Sequence, residues 1–205
     1  MRHKEPGSLN FKVTWIGFWF NIPGVTADPS QVALNFVNRG YDVIVSGIDT
    51  TEALVVARQK HQDGGKVWAI PYDYKGACKG AETVCLGVPY FNWGPSYVHF
   101  VKAVMGKTWK QEWLWLGPDW KNINDAHSSH VGYLPGPALS TSAKDALETF
   151  IGDLARGKAQ LFKGPLFYQD GAPFLKAGEL ASDQKIWYME QLLKGMEGES
   201  TAKAK

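Results

Sequence analysis

Apolar residues recur along the chain in two rhythms, and the alternation between them predicts an α/β protein. Phe11–Phe20 (F-K-V-T-W-I-G-F-W-F) is β-rich and runs into a loop with Pro23, Gly24 and Pro29. Asp28-Pro29-Ser30 then opens a helix through about Asn38, with Asp28 as cap, Pro29 in the first turn, and Val32, Leu34, Phe36 and Val37 as its apolar positions. Arg39-Gly40 ends it, and Val43-Ile44-Val45 is a short apolar run of the kind that forms a buried parallel strand. A polar turn, Ser46–Thr51, precedes a second helix over Glu52–Gln62 that carries Leu54, Val55 and Ala57; Lys66–Pro71 (K-V-W-A-I-P) follows as a strand. The order is β-α-β-α-β, for which a parallel sheet with right-handed crossovers is expected.

The chain's most organised stretch comes next. Val84–Tyr97 (V-C-L-G-V-P-Y-F-N-W-G-P-S-Y) reads as strand, aromatic corner and helix start, because Pro95 suits a first helical turn where its missing N–H leaves nothing unpaired. Strand C-termini of open α/β sheets are where ligand sites form. The helix continues through Met105, and Trp109–Trp120 reads as a strand or an extended aromatic rim. Val131–Leu134 is a brief strand, Ser140 to about Arg156 a helix, Phe162–Gly171 a hairpin and Ala181–Met196 a final helix. Met1–Asn10 reads as a disordered segment and Glu197–Lys205 as a polar tail, which leaves one α/β domain over 11–196.

Composition narrows the function classes. A formal charge of +2, with basic residues scattered, gives no electrostatic case for nucleic acid or an anionic membrane. Nine tryptophans among 205 residues are unusual, and several fall in predicted loops, where a stacking surface competes with simple packing as their role. Met1–Asn10 has no apolar core for a signal peptide, and no run reaches the ~18–20 apolar residues of a membrane span, so the chain taken literally is soluble and unexported. Cys78 and Cys85, spaced C-x6-C, read as a loop-stapling disulfide in an oxidising compartment, with free thiols as the alternative.

Six segments occur in a fixed order: Val13–Pro29, Ile48-Asp49-Thr50-Thr51, Pro71-Tyr72-Asp73, Phe91-Asn92-Trp93-Gly94-Pro95, Phe162-Lys163-Gly164-Pro165 and Gly178-Glu179-Leu180-Ala181-Ser182-Asp183. The series, which covers about Phe11 to Met196, resembles the basic-membrane-protein family of solute-binding lipoproteins, which includes purine-nucleoside receptors of ABC importers. The resemblance implies a type I periplasmic-binding-protein fold that closes on a ligand between two lobes. Members of that family carry a signal peptide, a lipidated cysteine and an N-terminal lobe ahead of the strand at Val13. The chain therefore looks like the C-terminal lobe with hinge-crossing segments, an incomplete two-lobe fold.

The resemblance also implies site residues. Trp19 and Phe20 match an aromatic-acidic loop in which Asn21 stands where an aspartate is usual, and either stack on a planar ligand or cap the sheet. Asp49 and Thr50 match a cleft-facing turn; Thr51 is expected to cap the following helix. Asp73 is a cleft residue or a turn former. Asn92 offers a donor and an acceptor to a base or sugar edge and Trp93 a pocket wall, or both hold the corner itself. Ala126–Gly132 (A-H-S-S-H-V-G) lacks the acidic-glycine motif that nucleoside-binding relatives use for ribose. His127 and His130, at i and i+3 without a third ligand, read as surface or hydrogen-bonding residues rather than a metal site.

The sequence thus predicts a solute-binding component of an ABC importer that takes a small polar ligand with a planar part, by stacking and hydrogen bonds. It implies a membrane permease as partner, no cofactor and no catalysis, since G-x-S-x-G, phosphate-loop and H-E-x-x-H patterns are absent. Location is periplasmic or at the cell surface by resemblance, and cytoplasmic if Met1 is the true start. The alternative class is a non-transport regulatory or interaction protein that keeps the fold. Exposed lobe-facing apolar surface on a truncated module would favour self-association. A nucleoside hydrolase using Asp49 or His127 is a distant third.

Overall fold

The computed structural model describes residues 9–200. The predicted disordered segment therefore lies outside the described residues except for Leu9 and Asn10, as does the end of the predicted polar tail, residues 201–205. The chain forms two compact units, one of Ala33–Thr141 and one of the described parts of Met1–Val32 and Ser142–Lys205.

The Ala33–Thr141 unit carries strands β2 (Val43–Val45), β3 (Trp68–Ile70), β4 (Gly87–Phe91) and β5 (Val131–Pro135), with helices α2 (Glu52–Gln62) and α3 (Gly94–Met105). β2 and β3 pair in parallel, with Ile44 opposite Ala69. Parallel bridges at Ala69–Cys85 and Asp73–Tyr90 carry the pairing on to β4, and β4 pairs antiparallel with β5. α2 buries Leu54, Val56 and Ala57 against Ile44, Ala69 and Val88. Val55 is half exposed, because a 3.6-residue period cannot point 54, 55 and 57 the same way. The predicted disulfide Cys78–Cys85 is present, with Cys85 fully buried beside β3. It closes a short loop, a constraint worth roughly 2–4 kcal/mol.

The second unit differs more from expectation. It contains β1 (Phe11–Lys12), the start of α1 (Pro29–Asn38), nearly all of α4 (Thr141–Ala155), β6 (Leu166–Phe167), β7 (Pro173–Leu175), α5 (Asp183–Trp187) and β8 (Met196–Glu197). Asp28 caps α1 as predicted, accepting from the Gln31 N–H at 2.9 Å. The predicted hairpin forms from β6 and β7. The β-rich run Phe11–Phe20 forms a strand over Phe11–Lys12, and its parallel partner is β8 rather than β2. Two residues of β8 give it no longer ladder to join, and Gly17 takes a positive φ of 105° that turns the chain out of the extended run. The β-α-β-α-β series is corrected accordingly.

The expected final helix over Ala181–Met196 is also corrected. α5 stops at Trp187 and the chain returns as β8, past Gly195 at φ 96°. Gln169 explains the return: its Nε2 donates to the carbonyls of Met196 (2.9 Å) and Gly198 (3.1 Å), and Ser200 Oγ donates to its Oε1 (2.8 Å). Positions 197–200, expected to fray, are tied to the unit by these bonds. Trp109–Trp120 contains no helix or strand, so the strand alternative is corrected.

β4 and β5 fit closely because each places a tyrosine over a glycine. Tyr90 lies opposite Gly132, and a Cβ built on Gly132 would overlap the Tyr90 ring; Tyr133, paired with Pro89, reaches diagonally over Gly87, where a Cβ would meet its hydroxyl end. Gly132→Ala is therefore expected to lower the urea-unfolding free energy by about 1–3 kcal/mol through overpacking. An unchanged midpoint would show that the rings move aside at no cost.

Candidate functional site

The C-terminal ends of three neighbouring strands supply one line of side chains in the Ala33–Thr141 unit. Asp49 follows β2, Tyr72 and Asp73 follow β3, and Phe91, Asn92 and Trp93 close β4. The Tyr72 hydroxyl donates to Asp49 Oδ1 at 2.5 Å. Its ring meets Phe91 edge-to-face at 6.1 Å, Phe91 lies 5.3 Å from Trp93, and Trp93 lies 6.3 Å from a near-parallel Tyr97 one helical turn on. Phe91, Trp93 and Tyr97 are 43%, 56% and 62% exposed, so the ladder presents ring surface rather than core. Burial first, then the hydrogen bond to Asp49 and the charges of Asp49 and Asp73, pushes the Tyr72 phenol well above its ordinary range. It remains a donor at any physiological pH.

Asp73 holds a positive φ of 87°, an uncommon conformation for a residue with a side chain. The strand pairing fixes it there: its N–H donates to Pro89 O (3.1 Å) and its carbonyl accepts from Phe91 N–H (2.9 Å). This backbone position is what brings the Tyr72 and Phe91 rings together.

Asn92 behaves as the bracket of the corner. Its Nδ2 lies 2.6 Å from Ser129 O, 3.0 Å from Ala126 O and 3.4 Å from Asp125 O, and its N–H donates to His130 O. Both amide protons are thus engaged by the 125–130 loop. That loop is closed by its own carboxylates. Asp125 accepts from the N–H groups of His127 and Ser128 and from the Ser128 hydroxyl, and Asp119 accepts from the Ser128 hydroxyl and Lys121 N–H. These bonds hold both acids below the usual carboxylate range. His130 Nδ1 pairs with Ser96 Oγ at 3.0 Å. Among the described residues no three His, Cys, Asp or Glu side chains are placed to share a cation.

Thr50 Oγ1 is buried without a hydrogen-bond partner among the described residues. Thr51 stands at the N-cap of α2, but its side chain makes no capping bond, so the expected cap is corrected; the Thr51 backbone carbonyl still accepts from Val55 N–H. Trp19, Phe20 and Asn21 belong to the other unit. Trp19 is 61% exposed, Phe20 meets Phe18 edge-to-face at 5.0 Å, and Asn21 Oδ1 accepts from Thr26 Oγ1 at 3.1 Å, which closes their loop. That unit also has an open cavity of about 660 Å³ lined by Phe174, Lys176, Glu179 and Lys185, with Lys185 and Glu179 ion-paired at 2.8 Å; none of the predicted site residues lines it.

Sequence reasoning did not single out Tyr72 or Tyr97 as candidates, although both join this cluster of rings. Tyr97 is four residues past Trp93 on a predicted helix, a spacing that places the two on one face. Tyr72 had no signal beyond its place between Pro71 and Asp73.

The chain is 31% identical over 186 residues to a purine-binding protein of Brucella abortus (strain 2308), an alignment that covers 91% of this chain and 48% of that protein. The chain spans about half the length of the curated relative it matches. No family model matches it.

The closed carboxylate loop makes a pH prediction. A depressed folded-state pKa contributes stability above the ordinary carboxylate value, and that contribution is lost as pH falls through the lower folded value. The amide resonances of Lys121, His127 and Ser128 should therefore titrate with midpoints below about pH 4. Midpoints at the ordinary carboxylate value would contradict these hydrogen bonds.

Proposed function

We propose that the chain is the ligand-binding part of a solute-binding protein of the basic-membrane-protein type, and that it binds a planar nitrogen heterocycle of the purine class. The observation that carries this reading is the exposed strand-end ladder Phe91–Trp93–Tyr97, joined through Tyr72 to the Asp49 carboxylate. Exposed rings supply stacking worth roughly 1–3 kcal/mol per base. A fixed carboxylate beside them supplies orientation, the combination expected of a small-molecule site. The purine-binding relative supports the ligand class.

Asp49, Asp73 and Trp93 are proposed as ligand contacts, with Thr50 beside them and Asn92 as the residue that holds the corner. Trp19, Phe20 and Asn21 form a separate aromatic surface for which ligand contact is proposed on the resemblance alone. A type I periplasmic-binding-protein architecture, a membrane permease as partner and a periplasmic or cell-surface location belong to the same proposal. Among the described residues no helix is long and apolar enough to cross a membrane.

A second reading, an interaction module, is favoured by one feature. α3 has no buried residue, and Val98, Val101, Val104 and Met105 are all more than half exposed. Apolar surface of this kind marks docking sites.

Thermal unfolding against purines, nucleosides and unrelated metabolites separates the two. At a hundredfold its Kd, a ligand adds ~2.7 kcal/mol of stability. Stabilisation by purines that is lost in Trp93→Ala supports the binding-protein reading. A flat panel from folded protein, with concentration-dependent self-association, supports the other.

A further inference from the structure

We propose that Tyr72 is a positioning residue that aims the Asp49 carboxylate, so that the site selects uncharged or cationic planar heterocycles presenting an N–H edge and refuses anionic ones. The inference rests on the binding-site reading above and specifies its selectivity.

Asp49 is an exposed turn residue, and an exposed aspartate ordinarily samples several rotamers. Here Oδ1 is held by the Tyr72 hydroxyl at 2.5 Å, and among the described residues no hydrogen bond reaches Oδ2. The phenol is fixed in turn by its edge-to-face contact with Phe91 and by the strand bridge at Asp73. A carboxylate anchored through one oxygen presents the other as an oriented acceptor, which removes an ordering cost from ligand binding. Because the phenol stays protonated, it does not release Asp49 or add a charge of its own. An N–H donor completes the arrangement. An acceptor edge would set lone pair against lone pair, and an anion would meet both the Asp49 and Asp73 charges, unfavourable terms of the kind that create specificity.

Titration calorimetry on the full chain tests this with adenine, N6,N6-dimethyladenine, 9-methyladenine and urate as probes. The wild type is expected to bind adenine, to lose about tenfold or more in affinity for at least one methylated derivative, and to show no binding of the urate anion. Tyr72→Phe keeps the ring and its Phe91 contact. It is expected to weaken adenine binding about tenfold and to shrink the methylation penalty. Asp49→Asn should do the same, and the double variant should be no weaker than either single one, since both remove one interaction. Tyr72→Phe with wild-type adenine affinity and an undiminished methylation penalty overturns the role of Tyr72 while leaving the binding-site reading intact. Tight urate binding overturns the charge selectivity. A wild type that binds none of the probes overturns both the inference and the reading beneath it. Should Tyr72→Phe not fold, Asp49→Asn alone decides: an undiminished methylation penalty in it overturns the inference.

Discussion

The parallel pairing of the β3 segment with the β4 segment is the constraint on which the site depends. Ala69 is bridged to Cys85 at one end and Asp73 to Tyr90 at the other, so the chain after β3 is held in step with β4 past the end of regular strand geometry. That register forces Asp73 into a positive φ and sets Tyr72 against Phe91. The disulfide at Cys85 fixes the approach to β4, and the tyrosine-over-glycine packing of β4 on β5 fixes its far side. An aromatic ladder with one anchored carboxylate follows from these backbone constraints.

The chemistry divides accordingly. Rings that are half exposed offer face area for stacking, and the polar groups near them are not equivalent. Asn92, the residue type best suited to read a base edge, has both amide protons engaged by the 125–130 loop. Asp119 and Asp125 are engaged by the loop's own N–H and hydroxyl donors. Among the described residues, Asp49 is hydrogen-bonded at Oδ1, by the Tyr72 phenol, and not at Oδ2.

Much of the local structure was legible in the sequence. α2 spans the predicted Glu52–Gln62, Asp28 caps α1, and Gly94–Met105 follows the aromatic corner as a helix, because capping residues, proline and apolar spacing act locally. The candidates Asp49, Asp73, Asn92 and Trp93 were singled out by the family resemblance, and their places just after apolar runs put them at strand ends. What was not legible depends on partners distant in sequence. Phe11–Phe20 has strand composition, but its partner is the two-residue β8 nearly two hundred residues away. Ala181–Met196 has helical periodicity, yet Gln169 draws its end back as a strand. Tyr72 escaped notice for the same reason: its role comes from Asp49, 23 residues earlier, and Phe91, on the next strand.

The most direct test of the account is a two-dimensional amide spectrum of the full chain titrated with adenine. The account predicts shifts concentrated at Asp49, Tyr72, Asp73, Phe91, Trp93 and Tyr97, with the amides around Phe174–Lys185 unmoved. Shifts confined to the Phe174–Lys185 cavity, or none at saturating ligand, would contradict the assignment of a planar-heterocycle site to the strand ends of the Ala33–Thr141 unit.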